Sequence, residues 1–159
     1  MKTMDGKLKG WFQFWKSPRK NTYTLLTSVL QNAGSKNGYV ERVLNIGVFA
    51  GIRKTKNKND CIGILGLSYK PGSDDVRGTP STLIIRELNK RGYFNILAYD
   101  PATSRKFQSF YKDLSAICLD DYDEIIKKAD VLAITNAWKE FMDIHEKTSK
   151  PIVDCRNMF

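Results

Sequence analysis

Short apolar runs alternate with amphipathic segments along residues 61–159 of this chain. Five of the runs are rich in apolar and β-branched residues and are shorter than typical helices, which predicts buried strands. These runs are CIGILGL (61–67), FNILAYD (94–100), AICL (116–119), DVLAITNA (130–137) and PIVDC (151–155). The segments between them suit helices, which we predict over 80–92, 102–112, 121–129 and 138–148.

The helix predicted over 80–92 has suitable residues at both of its ends. Thr79 can accept a hydrogen bond as the N-cap, and Pro80 fits the first helical position because its missing N–H is not needed there. Gly92 fits the position after the helix, where the backbone often turns left-handed. These signals make the helix boundaries at Thr79 and Gly92 specific predictions.

Strands that alternate with helices predict βαβ units with right-handed crossovers. We therefore expect an α/β fold, a Rossmann-like three-layer sandwich with a mainly parallel five-stranded sheet in the order 3-2-1-4-5. Ligands of such sheets bind at the carboxyl ends of the strands, near the point where the strand order reverses. In this chain those ends carry residues 68–77, 100, 135–138 and 154–157.

Residues 1–59 are predicted to form a separate basic, helical N-terminal segment in front of a domain at 60–159. NTYTLLTSVLQNAG (21–34) and GYVERVLNIGVFAGIRK (38–54) suggest a helical hairpin beside the sheet. The aromatic cluster WFQFW (11–15) is expected to pack on the domain or against a partner.

The formal net charge of +9 comes from the first 60 residues, which hold 12 Lys and Arg against 3 Asp and Glu. A basic front suits nucleic acid, an anionic surface or an acidic partner, but no nucleic-acid-binding motif accompanies it, which disfavours nucleic acid.

No apolar run approaches the roughly 18 residues that span a bilayer, so no membrane partner is expected. The three cysteines are widely spaced, which favours reduced thiols and a cytoplasmic location.

The sequence offers little for catalysis or metal binding. Its one histidine, His145, lies on a polar helix, and neither a GxSxG motif nor a metal-ligand cluster is present, so no catalytic or metal-binding residue is assigned. The stretch GILGLS has GxxG spacing rather than GxGxxG, which disfavours a standard NAD site here. Asp100 therefore only superficially resembles an acid that binds the NAD ribose.

The loop GLSYKPGSDDVRGTPS (66–81) contains more charges than a linker needs. Lys70 suits phosphate as a flexible point charge, and Arg77 offers a planar fork for an anion. The alternative is that Arg77 pairs with Asp74 or Asp75 and simply holds the loop. Arg156, after the last strand, has the same two alternatives: it pairs with Asp154 or it reaches a ligand.

Four separated segments resemble, in the same order, the C-terminal domain of the UDP-glucose/GDP-mannose 6-dehydrogenase family. They are IGILGLSYKPGSDDVRGTPS, AYDP, ADVLAITNAWKEF and PIVDCRNMF. Members of this family usually have Glu-Ser where this chain has Gly78-Thr79, and often Glu at the position of Asn136.

The resemblance implies the UDP-binding domain of an enzyme that uses NAD to oxidise the C6 alcohol of a UDP- or GDP-sugar to a carboxylate. It implies that Tyr69, Lys70 and Arg156 contact the nucleotide sugar and that Arg77 reaches NAD. NAD would be bound only together with an N-terminal domain that carries the catalytic cysteine, which we do not find before residue 60. We therefore expect no dehydrogenase activity from this chain alone, and as partners a separate N-terminal half and a second copy in a homodimer.

Two alternatives stay open beside the nucleotide-sugar-binding domain. One is a degenerate stand-alone protein that has lost ligand binding and interacts with a partner through its basic front and WFQFW (11–15). The other is a module that binds anions or nucleic acid through the basic segment.

Overall fold

The computed structural model describes residues 14–16, 22–25, 57–156 and 158–159. Seven described strands form one sheet. Their bounds are Phe14–Lys16 (β1), Thr22–Leu25 (β2), Ile62–Leu65 (β3), Ile96–Tyr99 (β4), Ile117–Cys118 (β5), Val131–Ile134 (β6) and Ile152–Asp154 (β7). The order across the sheet is β1-β2-β7-β6-β3-β4-β5, and every neighbouring pair is parallel except β1 with β2.

Helices cover both faces of this sheet, as a three-layer sandwich requires. Their bounds are Pro80–Lys90 (α1), Ser104–Phe110 (α2), Tyr122–Lys128 (α3) and Ile144–Lys147 (α4), with a 3-10 turn at Lys139–Phe141. Buried side chains of α1 and α2 join one hydrophobic cluster, and those of α3, the 3-10 turn and α4 join a second. No helix among the described residues is long and apolar enough to cross a membrane.

The predicted fold class and strand order are confirmed. The five predicted strands are β3, β4, β5, β6 and β7, and from β5 to β7 they lie in the order third, second, first, fourth, fifth. The first of the five predicted strands, β3, is therefore the middle one of these five, with β4 on one side and β6 on the other. This arrangement places the reversal of strand order at the carboxyl end of β3.

The central strand β3 is closely packed on both of its faces. Ile62, Ile64 and Leu65 are fully buried, because the strand has a helical layer above and below it. A Cβ at Gly63 would lie 2.6 Å from Leu132 Cδ2 and 2.7 Å from Ile125 Cγ2, so a side chain there would push α3 away from the sheet. The glycine thus lets α3 pack directly against β3.

The predicted ends of the first helix of the domain are confirmed. The Thr79 side chain accepts a hydrogen bond from the N–H of Thr82 at 3.4 Å, and Pro80 is the first helical residue. Gly92, just after the cap residue Arg91, has a φ of 86°. The positive φ explains why glycine ends this helix.

The single helix predicted over 138–148 is wrong. The chain forms the 3-10 turn and then the short helix α4, with Met142 and Asp143 between them. Both Phe141 and Ile144 are fully buried by this arrangement. Packing of these two side chains against the sheet therefore outweighs the continuous helix that the local sequence favours.

The helix predicted over 21–34 is wrong at residues 22–25, which form β2. These residues are TYTL, and threonine and tyrosine favour extended backbone when a strand edge is available. The edge of β7 is available, and Thr22, Tyr23 and Thr24 pair with Ile152, Val153 and Asp154. The rest of that helix, the helix at 38–54 and residues 11–13 of the aromatic cluster lie outside the described residues.

Candidate functional site

Four loops meet at the carboxyl edge of the parallel strands, where open α/β sheets bind ligands. They follow β3, β4, β6 and β7 and include residues 66–79, 100–103 and 135–138 and the described residues 155–156 and 158–159. All of the residues predicted to bind a ligand lie in the first and the last of these loops. The loop after β3, called here the β3–α1 loop, lies at the reversal of strand order.

Hydrogen bonds within the β3–α1 loop hold its first half closed. The N–H of Tyr69 donates to the carbonyl of Asp75 at 2.8 Å, and the N–H of Ser73 donates to the carbonyl of Lys70 at 3.1 Å. The Ser73 hydroxyl accepts from the N–H of Asp75 at 3.1 Å. The loop therefore has a defined shape before any ligand arrives.

Two residues at this closed part of the loop are free to meet a ligand. Tyr69 is 62% exposed although it is a large aromatic residue, and Lys70 beside it is also exposed. Lys70 forms no ion pair within the part of the chain that the structure describes. An exposed tyrosine ring beside an uncommitted ammonium group suits a ligand that has both a flat surface and negative charge.

Arg77, in contrast, already has an anionic partner. Its Nε and Nη2 each donate to a carboxylate oxygen of Asp75 at 2.9 Å, and its side chain is 76% exposed. The hydrogen bonds from Arg77 hold the pKa of the Asp75 carboxyl well below its usual range. Of the two alternatives for Arg77, the pairing with Asp75 occurs, and the exposed guanidinium also remains accessible from the solvent.

The second half of the loop is supported by α2 and the residue that follows it. The Tyr111 hydroxyl donates to the carbonyl of Val76 at 2.9 Å and accepts from the N–H of Gly78 at 3.2 Å. Lys106 of α2 pairs with Asp74 at 2.8 Å, and this hydrogen bond lowers the pKa of Asp74. Asp74 and Asp75 thus each pair with a cation, Lys106 and Arg77 respectively.

The loop after β7 is organised by a buried carboxylate. Asp154 is fully buried, and its carboxylate accepts from the N–H of Arg156 at 2.9 Å, of Met158 at 2.6 Å and of Phe159 at 3.1 Å. The contact between Asp154 and Arg156 therefore involves the backbone N–H of Arg156, while its side chain is exposed. This turn presents a second cation at the same edge of the sheet as Lys70.

The strands that lead to these two cations are close neighbours in the sheet. Lys70 follows β3 and Arg156 follows β7, and only β6 lies between these strands. Neighbouring strands lie roughly 4.8 Å apart, so the ends of β3 and β7 are about 10 Å apart. Two cations on separate loops at this edge suit an elongated anionic ligand better than a small ion.

A buried acid, Asp100, connects the loops of the site, and sequence reasoning missed this role. Its side chain is 2% exposed and accepts from Leu67 N, Ser68 N, Ser68 Oγ, Ala102 N, Thr103 N and Trp138 Nε1. Burial alone would raise the pKa of Asp100, but the hydrogen bonds outweigh it and the pKa is lowered. The group is therefore a carboxylate at neutral pH.

Asn136 and Thr135 connect the carboxyl end of β6 to the beginning of the β3–α1 loop through hydrogen bonds. The Asn136 amide donates to the Ser68 carbonyl at 3.0 Å and to its hydroxyl at 2.8 Å. The Thr135 hydroxyl donates to the carbonyl of Gly66. Their position after an apolar strand was the only sequence signal for these contacts.

The described residues contain no group of three or more His, Cys, Asp or Glu that could hold a metal ion. All three cysteines are reduced and lie within the described part of the chain. Burial raises the pKa of Cys118 to about 12 and also raises the pKa of Cys61 and Cys155. These thiols are therefore protonated at neutral pH and are poor nucleophiles.

Residues 63–159 match the model of the UDP-glucose/GDP-mannose dehydrogenase family, UDP binding domain. Over 109 residues, 65% of this chain, the sequence is 34% identical to a UDP-glucose 6-dehydrogenase from Rickettsia bellii. A GDP-mannose 6-dehydrogenase from Pseudomonas aeruginosa is 31% identical over 104 residues, 58% of this chain. The matched region spans about a quarter of these relatives, 24% of each.

Solved structures share the fold. A UDP-glucose dehydrogenase from Pyrobaculum islandicum superimposes with a TM-score of 0.64 at 23% identity, over 83% of this chain and 28% of that one. A GDP-mannose dehydrogenase from Pseudomonas aeruginosa, described as a ternary complex, gives a TM-score of 0.59 at 23% identity, over 84% of this chain and 30% of that one.

Proposed function

This chain belongs to the UDP-glucose/GDP-mannose dehydrogenase family, and on that premise we propose that its residues 60–159 bind the nucleoside diphosphate part of a nucleotide sugar. The observation that carries the proposal is Lys70, which is exposed and has no ion-pair partner among the described residues. It follows the central strand on a loop that is already hydrogen-bonded into shape. A preformed site of this kind binds its ligand without the cost of ordering a loop.

Each proposed contact follows from the chemistry of the side chain. The Lys70 ammonium group pairs with the diphosphate, and the exposed ring of Tyr69 packs against the ligand beside it. Arg156 supplies a second cation on the far side of β6, where it holds another part of the nucleotide sugar. The nucleotide sugar thus extends along the carboxyl edge of the sheet.

The family also implies NAD, but the described residues do not fit NAD on their own. A standard dinucleotide site has a short glycine-rich turn that leads directly from a strand into a helix. Here β3 ends at Leu65 and α1 begins only at Pro80. Arg77, exposed beside Asp75, is proposed only to contact NAD that is held by a separate N-terminal dehydrogenase half. No redox step is assigned to the residues described.

Titration calorimetry with UDP, GDP and uridine at physiological salt tests the proposal. We expect UDP or GDP to bind with a micromolar Kd. Uridine should bind about 100-fold more weakly or not at all, because it lacks the diphosphate that pairs with Lys70, and charged hydrogen bonds contribute about 1.5–3 kcal/mol each.

Absence of binding by both diphosphates would contradict the proposal. If the chain were then retained on DNA in a strongly salt-dependent way, the basic segment at 1–60 would be the functional part. If neither nucleotides nor DNA were bound, the chain would be an interaction module without a ligand.

A further inference from the structure

We propose that Asp100 is a positioning residue: its buried carboxylate fixes the start of the β3–α1 loop and thereby the place at which Lys70 meets an anionic ligand. This inference rests on the proposed function, since it explains how the same site is held in shape. Asp100 does not touch the ligand itself, because its side chain is only 2% exposed.

Three of the hydrogen bonds to Asp100 come from the residues directly before the loop tip. Its Oδ2 accepts from the N–H of Leu67 at 2.8 Å, from the N–H of Ser68 at 2.9 Å and from the hydroxyl of Ser68 at 2.9 Å. Ser68 is followed immediately by Tyr69 and Lys70. This one oxygen atom therefore helps to set the direction in which the chain leaves β3.

The same oxygen also links the β3–α1 loop to the end of β6. Trp138 Nε1 donates to Asp100 Oδ2 at 3.1 Å, while the Asn136 amide donates to the carbonyl and hydroxyl of Ser68. Ser68 is thus held from β4 by Asp100 and from β6 by Asn136. Because β4 and β6 lie on opposite sides of β3, Ser68 is fixed between them.

The two oxygens of Asp100 have separable roles. Oδ1 accepts from the N–H groups of Ala102 and Thr103, at 3.0 and 3.1 Å, and so shapes the turn that leads into α2. Oδ2 serves the β3–α1 loop and Trp138. An asparagine could keep its oxygen towards Ala102 and Thr103. Its amide N–H groups would then face the N–H groups that now donate to Oδ2, and donors cannot hydrogen-bond to one another.

The Asp100→Asn substitution has opposite expected effects on the affinity for a diphosphate, depending on whether Asp100 acts through its charge or by positioning Lys70. A buried negative charge near a diphosphate repels it, so its removal alone would tighten binding. If Asp100 acts by positioning Lys70, its removal weakens binding instead. The sign of the change in Kd therefore separates the two roles.

The test is a double-mutant cycle on the full chain, with UDP as the probe and calorimetry as the readout. Asp100→Asn should raise the Kd about 10-fold in the wild-type background and have little effect when Lys70→Ala is already present, because residues that act through one another are not additive. Asp120→Asn is the control: it removes the same charge from an exposed acid, 63% accessible, that pairs with Arg105, and should leave the Kd unchanged.

Ser68→Ala is a second, milder variant in case Asp100→Asn fails to fold. It removes the hydroxyl that donates to Asp100 and accepts from Asn136, and it should weaken UDP binding through Lys70 in the same non-additive way. A Kd that falls or stays the same in these variants would overturn the inference. Equal weakening with and without Lys70 would overturn it too.

If the wild-type chain binds neither UDP nor GDP, the proposed function fails, and amide hydrogen exchange then decides the inference. Faster exchange confined to residues 66–78 in Asp100→Asn, with β6 unchanged, would support a positioning role. Unchanged exchange, or equally faster exchange throughout the domain, would overturn it.

Discussion

Replacing Gly66 with alanine should lower the free energy of unfolding by about 3–5 kcal/mol, since a strained backbone conformation and overpacking each cost about 1–3 kcal/mol. Gly66 has a φ of 102°, which residues with a side chain rarely adopt. A Cβ there would lie 2.4 Å from Asn136 Cβ and 2.6 Å from Asn136 N. Backbone cannot yield as a flexible side chain can, so the ends of β3 and β6 must separate. Urea unfolding measures the loss.

Gly72→Ala is the matched control for this prediction. Gly72 also has a positive φ, of 77°, but a Cβ there would meet no atom within 4 Å. It should cost only about 1–2 kcal/mol from the left-handed backbone conformation. Equal losses in the two variants would show that the contact with Asn136 adds nothing to the cost of Gly66→Ala, which would contradict the prediction.

Lys70→Ala should weaken the binding of UDP or GDP about 10- to 100-fold. A hydrogen bond to a charged group contributes about 1.5–3 kcal/mol, and each 1.4 kcal/mol is a tenfold change in Kd. The substitution should leave the free energy of unfolding nearly unchanged, because the side chain is exposed and has no ion-pair partner among the described residues. Calorimetric titration of the wild-type chain and of the Lys70→Ala variant measures the ratio of their Kd values.

Lys58→Ala removes the same charge from the opposite, amino edge of the sheet. Lys58 is exposed and precedes β3, and its side chain lies beside Gly92 in the turn that follows α1. Its substitution should not change the Kd. If both variants weakened binding equally, general attraction to a basic surface would explain the affinity, and Lys70 would have no specific role.

Four strands of the sheet, β3, β4, β6 and β7, could be predicted from the sequence because both of their faces are buried. Buried parallel strands give continuous apolar runs, and DVLAITNA and CIGILGL are clear examples. The end signals at Thr79 and Gly92 were also reliable, since each depends on the local backbone alone. The two extra strands β1 and β2 were missed, because β2 depends on pairing with β7, more than a hundred residues away in sequence.

The charged residues of the site were predictable, but their arrangement was not. Lys70 and Arg77 could be recognised as candidates because charges are concentrated in a loop at a strand end. Whether Arg77 pairs with Asp75 depends on how the loop closes, and both alternatives stayed open until the structure was known. The role of Asp100 was hidden because its donors Leu67, Ser68 and Trp138 lie in the loops after β3 and β6, which only the fold brings next to Asp100.

Hydrogen exchange of the chain with and without saturating UDP tests most directly whether the nucleotide binds at the carboxyl edge of the sheet. We predict slower exchange in residues 66–78 and 154–159, where Lys70 and Arg156 lie. Loops at the amino edge, such as residues 91–95 and 148–151, should be unchanged. Protection only at the amino edge or only within residues 1–56, or no protection anywhere, would contradict this account.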